Sequence, residues 1–486
     1  MFYQEKFTPM RYFSEGSICI NGNNISYNTI SEDNIFYDEN GNAIASIFSF
    51  SYFRKDVNNY KDRPVIFAFN GGLGSSSIML HVGLLGKKRI KYKTHLNDED
   101  SLPPYEIIDN PQCLLDVADI VLVDPVSTGF GILIDKEREK DFYGIKEDAE
   151  AFISFVQMWL QRYDRYQSPK YIIAESYGCT RAAMAIELAS CQGLERCYDI
   201  SFNGLILIGN TITPGKYFNV DLPIEKSVLG FETYAALNWL HNTDHSIPLE
   251  IWTKEARLFA DNEYLVALNK GNRLRGEERN KVIEKIKYYT GVSDSYLEQK
   301  NLRLDSFSIK DEIIRDKGLA ISRLDGRVTR ELYSSSDNEV KYGLSIDGVR
   351  GKYNPVFLSA LVSELFPALG IKEFERVYKP AVKISKKWNK DCDISAAECL
   401  SNTMKRWPSL RLFFANGYYD LTTESGVLYY MLTHTALDEN RVVIKRYKTG
   451  HMVYLGEEEI DSFALDIRDF IDGIKPNGSI ILSEFN

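Results

Sequence analysis

The sequence predicts an α/β protein with a mostly parallel central sheet, antiparallel strands at its N-terminal end and a large, mainly helical insertion. Three textures carry that expectation. Brief, continuous apolar runs alternate with longer stretches of helical period, the pattern of a parallel sheet covered on both faces. Roughly the first 60 residues instead alternate polar and apolar, as strands with one wet face do. From about Thr211 to Ser401 the strand texture fades and helical period takes over.

Taken in order, Ser17–Tyr27 and Ala43–Tyr52 read as antiparallel strands, with Asp38-Glu39-Asn40-Gly41 between them supplying hairpin chemistry. Val65–Phe69, Ile120–Val123, Tyr171–Ala174 and Gly204–Ile208 are short and wholly apolar, so each is expected as a buried parallel strand. Between the second and third of these, Phe152, Phe155, Val156 and Trp159 recur at i, i+3, i+4 and i+7. That spacing predicts a crossover helix buried on one face. In the insertion, Val282, Ile283, Ile286 and Tyr289 give helical period behind Glu277 and Glu278, acids placed where a helix start favours them. Strands resume at Leu410–Ala415 and Arg441–Tyr447, and Ile460, Phe463, Ala464 and Ile467 mark a C-terminal helix. The expected division is therefore 1–211 and 401–486 for the two parts of the α/β domain, with 212–400 as the insertion.

The chain has 486 residues, 44% of them hydrophobic and 26% charged, enough to bury a large core and unlike a disordered or coiled-coil composition. Its formal charge of −10 removes the electrostatic basis for binding nucleic acid or an anionic membrane, so neither is expected as a partner. Glu5, Lys6, Arg11 and Glu15 interrupt the N-terminal stretch, and no run approaches 18 apolar residues, so neither a secretory leader nor a membrane span is expected. Seven widely spaced cysteines without a CxxC pair argue against a disulfide framework or a zinc site. A cytoplasmic protein without metal or cofactor is the expectation.

Ala174-Glu175-Ser176-Tyr177-Gly178 lies between an apolar strand and the helical run Thr180–Ser190, the setting of a nucleophile elbow. Such a turn pushes the serine outward and needs small residues two positions to either side, here Ala174 and Gly178. Asn70-Gly71-Gly72-Leu73-Gly74 follows directly on the strand Val65–Phe69 and offers main-chain amides to a carbonyl oxygen. Together with the amide of Tyr177, that of Gly72 would form an oxyanion hole. A phosphate loop is disfavoured, since Gly74-Ser75-Ser76-Ser77 lacks the lysine of that motif, whereas a plain tight turn stays open. In this architecture the order along the chain is serine, acid, histidine. Of the six histidines, His451 lies in a loop just after the strand ending at Tyr447, whereas His434 sits inside an apolar helical pattern. The loop position favours His451 as base. Asp420, just past the strand Leu410–Ala415, is the candidate acid, with an N-cap for a helix from Thr422 as the other reading.

Four blocks together resemble the serine carboxypeptidase family, most of all its bacterial branch. They are Asn70 to Ser77, Asp124-Pro125-Val126-Ser127-Thr128-Gly129-Phe130, Glu175 to Gly178, and Gly450-His451-Met452 with Gly417 and Asp420 before it. The likeness runs from about Ala43 to Asp472 and includes Tyr234-Ala235-Ala236 and Leu324-Asp325-Gly326-Arg327 in the insertion. It implies an α/β-hydrolase fold whose insertion covers the site as a lid, with Ser176 as nucleophile, His451 as base and Asp420 as its orienter. It also implies Gly72 and Tyr177 as oxyanion amides, Asn70 and Glu175 as binders of a peptide's terminal carboxylate, and cleavage of C-terminal residues from small or unstructured peptides. An acyltransferase or esterase using the same acyl-enzyme, and a silent binding protein on the same fold, are the rival readings. A homodimer is left open.

Departures from the family pattern are Leu73 and Lys87 in place of prolines, and Ser127 and Ala174 in place of glycines. The consequential one is Leu84, which by ungapped count from Asn70 stands where the family's secreted enzymes carry a second glutamate. Two such carboxyls can share a proton and so receive a substrate carboxylate under acidic conditions. With Glu175 alone, the expectation is a weaker acid dependence and less preference for a free C-terminus. Cys179 reads as a small apolar contact rather than a rival nucleophile. Arg181 is expected to anchor a buried acid, with Glu175 and Asp124 as candidates.

Overall fold

A computed structural model describes residues 7–93, 96–98, 102–190, 198–213, 226–332, 347–373, 376–392 and 394–480. The hairpin turn expected at Asp38–Gly41 joins β2 (Asn23–Tyr37) to β3 (Ala43–Arg54), where the Gly41 amide donates to the Asp38 carbonyl at 3.0 Å. Ahead of it the reading changes. Ser17–Tyr27 is not one strand: Asn21 and Gly22, at φ +50° and +77°, turn the chain between β1 (Arg11–Ile20) and β2. An Asn-Gly pair takes up this left-handed two-residue turn readily, so the polar-apolar alternation runs through a reversal.

The remaining strands of the main sheet are β4 (Val65–Phe69), β5 (Asp119–Asp124), β6 (Lys170–Glu175), β7 (Gly204–Ile208), β8 (Arg411–Gly417) and β9 (Val442–Tyr447). Their spatial order is β1-β2-β3-β5-β4-β6-β7-β8-β9, with the short strand Ile132–Leu133 also pairing with β3. From β5 to β9 every neighbouring pair is parallel, while β1, β2 and β3 add on antiparallel, β3 against β5. In β4 alternate residues serve different cores: Ile66 and Ala68 pack on one face, Val65, Phe67 and Phe69 on the other. Burial on both faces is why β4, β7 and the middle residues of β5 and β6 are apolar without interruption.

The helices α1 (Ile145–Arg162) and α2 (Tyr177–Ser190) contribute to one of these cores, and α9 (Glu457–Ile471) to the other. The helical stretch between β7 and β8 is spread over three places. Its helices α3 (Lys226–Asn242), α4 (Leu249–Phe259) and α5 (Gly276–Thr290) form a third core around Phe231, Tyr264 and Ile286. By contrast α6 (Gly348–Ala360) places Tyr353 and Phe357 in the same sheet core as α9. The capped helix α7 (Ala396–Arg406) joins the opposite core through Leu400 and Met404. After β8 comes α8 (Ser425–Thr433). No helix among the described residues is long and apolar enough to cross a membrane.

Candidate active site

The carboxyl ends of β4, β6, β7, β8 and β9 all point to one edge of the sheet, where loops emerge and catalytic groups gather in open α/β folds. At the end of β6 the chain turns through Ser176, which has φ +57°, a left-handed conformation that a serine adopts only when its surroundings enforce it. Three hydrogen bonds do so. The Ser176 amide donates to the Ile208 carbonyl at 2.8 Å, and the Ser176 carbonyl accepts from the Cys179 amide and the Thr211 hydroxyl, each at 2.8 Å. The Asn70–Gly74 loop closes over this turn. A β-carbon added at Gly71 would lie 2.3 Å from the Glu175 carbonyl and 2.5 Å from both Ser176 Cβ and the Tyr177 amide nitrogen, so only glycine lets the two backbones meet. Gly71, which precedes Gly72, is thereby seated against the Tyr177 amide.

Asp420 and His451 come from the ends of β8 and β9. His451 Nδ1 stands 2.7 Å from Asp420 Oδ2, with both side chains buried. Asp420 Oδ1 accepts from the amides of Thr422 at 2.7 Å and Thr423 at 3.1 Å, and the Thr423 hydroxyl donates to Oδ2. The N-cap reading is corrected in detail: α8 begins at Ser425, and Asp420 uses the two amides in a turn while also facing the imidazole. Burial alone would raise the Asp420 carboxyl, but the His451 charge and these donors outweigh it, and its pKa is lowered. Burial likewise acts to lower His451, and the Asp420 carboxylate more than reverses this, leaving the imidazole raised.

The elbow and the imidazole flank the same piece of backbone. Ile208 receives the Ser176 amide, and the next residue, Gly209, lies against the imidazole, since a β-carbon there would be 2.7 Å from His451 Nδ1. His451 is fixed from the insertion as well, its amide donating to the Leu324 carbonyl at 2.6 Å. The Leu324–Arg327 segment is itself anchored by an Arg327–Asp325 pair at 2.7 Å and an Arg327–Glu459 pair at 2.8 Å.

Glu175 and Asn70 meet where the sequence places them side by side only through the fold. Asn70 Nδ2 donates to Glu175 Oε1 at 2.9 Å, and Asn70 Oδ1 accepts from the Leu80 amide at 2.9 Å. The other carboxylate oxygen takes a hydrogen bond from Tyr454 at 2.6 Å. Burial raises the Glu175 carboxyl against the opposing pull of the His451 charge and of the hydrogen bonds from Tyr454 and Asn70. Tyr454 went unread in the sequence, where nothing distinguishes it among 30 tyrosines, and so did Thr423.

Arg181 corrects both candidate partners: its Nε donates to Asp148 Oδ2 at 2.7 Å, while Nη1 reaches the Asn70 carbonyl at 3.3 Å. It therefore braces the loop through backbone. Asp124 instead accepts from the Ser77 amide at 2.8 Å, tying the loop after β4 to the end of β5. The Cys179 thiol is buried between the Ala174 and Ile208 carbonyls, and burial drives its pKa up, away from nucleophilic thiolate. Leu84 is a fully buried core residue in the helical turn His81–Leu85. No group of three or more potential metal ligands occurs among the described residues.

Compared with known proteins, residues 40–317 match a family profile described as serine carboxypeptidase. A curated relative, serine carboxypeptidase-like 8 of Arabidopsis thaliana, is 31% identical over 169 residues, 34% of this chain. That match spans only 36% of the relative's own length. Among solved structures, a prohormone-processing carboxypeptidase from Saccharomyces cerevisiae superposes with a TM-score of 0.56 at 15% identity, covering 93% of each chain. The likeness to that structure is one of fold, an α/β-hydrolase with a mostly parallel mixed sheet.

Proposed function

This chain belongs to the serine carboxypeptidase family, and we propose that it hydrolyses small or unstructured peptides from the C-terminal end through an acyl-enzyme on Ser176. The observation that carries the reading is the buried 2.7 Å contact of His451 with Asp420, set beside a serine held at positive φ. In this reading Ser176 Oγ attacks the scissile carbonyl while the imidazole of His451 takes the hydroxyl proton. The same proton then passes to the leaving amine. Asp420 holds Nδ1–H, which leaves the other ring nitrogen to take the serine's proton, and its charge favours the imidazolium that forms. The developing oxyanion is received by the amides of Gly72 and Tyr177, and water resolves the acyl-enzyme by the same route in reverse. Asn70 and Glu175 then stand on the leaving-group side.

A reducing, cytoplasmic setting fits the free thiols of Cys19, Cys113, Cys179 and Cys399. The experiment is covalent labelling with a fluorophosphonate, which needs an activated serine and nothing else. Ser176 is expected to carry the label, and Ser176→Ala to carry none. Labelling at another residue, or equal labelling of the variant, refutes the assignment.

A further inference from the structure

Glu175 is a buried carboxylate next to the reacting serine, and each of its oxygens already has a donor, Asn70 on one and Tyr454 on the other. The Tyr454 ring is fully buried against the turn that contains Leu84, since a β-carbon on the adjacent Gly83 would lie 2.5 Å from its Cε2. A hydroxyl therefore reaches the carboxylate from a ring packed on the turn that carries Leu84. We propose that Tyr454 is a positioning residue for Glu175: by donating its phenolic proton it keeps this side chain an acceptor, and so sets the pH below which a substrate ending in a free α-carboxylate is admitted. The inference rests on the reading that Glu175 lines the leaving-group side.

The physical argument is one of proton counting. An ionised Glu175 has no hydrogen to offer, and a substrate carboxylate brought against it places two anions together in a dry site. A protonated Glu175 can donate to that carboxylate. A neutral end, such as an amide, can donate to the ionised form and meets no such barrier. Burial favours the protonated form; the charge of His451 and the donors Tyr454 and Asn70 favour the ionised one; Asp420 opposes ionisation. The Cys179 thiol also feels Glu175, and it remains protonated. Tyr454 itself is raised well above the ordinary phenol value by burial and by Glu175, with Tyr92 beside it, so its proton is present throughout the working range.

The test is kcat/KM across pH for a short peptide and its C-terminally amidated twin, in the wild type, Tyr454→Phe and Glu175→Gln. Removing only the hydroxyl withdraws a donor from the anion, and the midpoint at which the free-acid peptide loses ground to the amide is expected to move up by about one pH unit. That is roughly a tenfold gain in the acid-to-amide ratio on the falling limb. The amide's own kcat/KM should change by less than that of the free-acid peptide. Glu175→Gln, which cannot ionise, should make the ratio independent of pH, and a ratio that still falls with pH in this variant overturns the proposal even if Tyr454→Phe folds poorly. Equal losses on both peptides with an unmoved midpoint, or a downward shift, overturn the role of Tyr454 alone. A wild type that labels at Ser176 yet cleaves neither peptide overturns the carboxypeptidase reading as well.

Discussion

The two ends of the parallel sheet each bury a fully enclosed aspartate, and they hold it in opposite ways. At the amino end, Asp119 at the start of β5 meets Arg63 at 2.7 Å and Arg165 at 2.5 Å, and also accepts from the Arg54 amide at 3.0 Å. Two planar guanidinium forks grip the carboxylate from two sides, so that cluster holds one geometry. At the carboxyl end Asp420 is held by an imidazole, a hydroxyl and two amides, and its ionic partner is a group whose charge can change. A carboxylate clamped by arginines is a structural rivet. One facing a histidine is suited, in the proposed reaction, to steady a group that gains and loses a proton, and the two lie at opposite ends of the strands.

The largest effect expected from this contrast is in Asp420→Asn. The amide presents the wrong hydrogen-bonding group to Nδ1 and removes the negative charge that favours imidazolium, and kcat should fall by about 10⁴-fold with the fold intact. The pH profile should change as well. A general base must be neutral to act, so activity rises with pH through the raised value of His451. Without the carboxylate, burial is left to lower that value, and any residual activity should have its rising limb shifted to lower pH. A loss of activity with an unshifted limb would break the assignment of Asp420 as the partner of the base.

The matching change at the other end, Asp119→Asn, should spare catalysis and damage stability. It leaves Arg63 and Arg165, 8% and 2% exposed at their side chains, without a counter-charge. Breaking a buried pair from one side costs about 3–5 kcal/mol. The midpoint of urea unfolding should drop accordingly, while kcat per folded molecule stays within about twofold. If kcat instead fell as steeply as in Asp420→Asn, the two ends would not be functionally distinct.

How far the sequence discloses these two ends differs for a physical reason. Strands β4 to β7 are legible because burial on both faces keeps their middle residues apolar, and the elbow is legible because crowding against the strand and loop before it demands a small residue at 178. His451 and Asp420 are readable from chain order and from their places after strands. Contacts made by long-range packing leave no local mark. Tyr454 reaches Glu175 across 279 residues, and Arg181 pairs with Asp148, on α1, rather than with an acid of the loops. The helical stretch is similar: period reveals that a helix has a buried face, whereas whether it packs on the sheet, as α6 does, or on other helices, as α4 does, depends on neighbours far away in sequence. The Asn21-Gly22 reversal was locally encoded, but alternation continuing on both sides of it masked the turn.

The smallest expected effect probes how gently the carboxyl end is held. Thr423 donates its hydroxyl to Asp420 Oδ2 and lies 3.3 Å from His451 Nδ1, so it steadies the acid without touching the reacting atoms. Thr423→Val keeps the branched shape and deletes that one donor. The remaining partners of Asp420 are the imidazole and the amides of Thr422 and Thr423. A hydrogen bond to a charged group contributes about 1.5–3 kcal/mol, and with three donors left most of the alignment survives, so kcat should fall less than about tenfold. The sign of the pH effect is set by which state the hydroxyl favoured. It donated to ionised Asp420, so its loss raises that carboxyl from its lowered value, and the stability that the ionised acid contributes is then lost at a higher pH as the solution is acidified. If the hydroxyl acts through the acid, unfolding midpoints of the variant should fall short of the wild type near neutrality and converge on it as the solution is acidified and Asp420 becomes protonated. A deficit of the same size at every pH would mean that Thr423 merely packs.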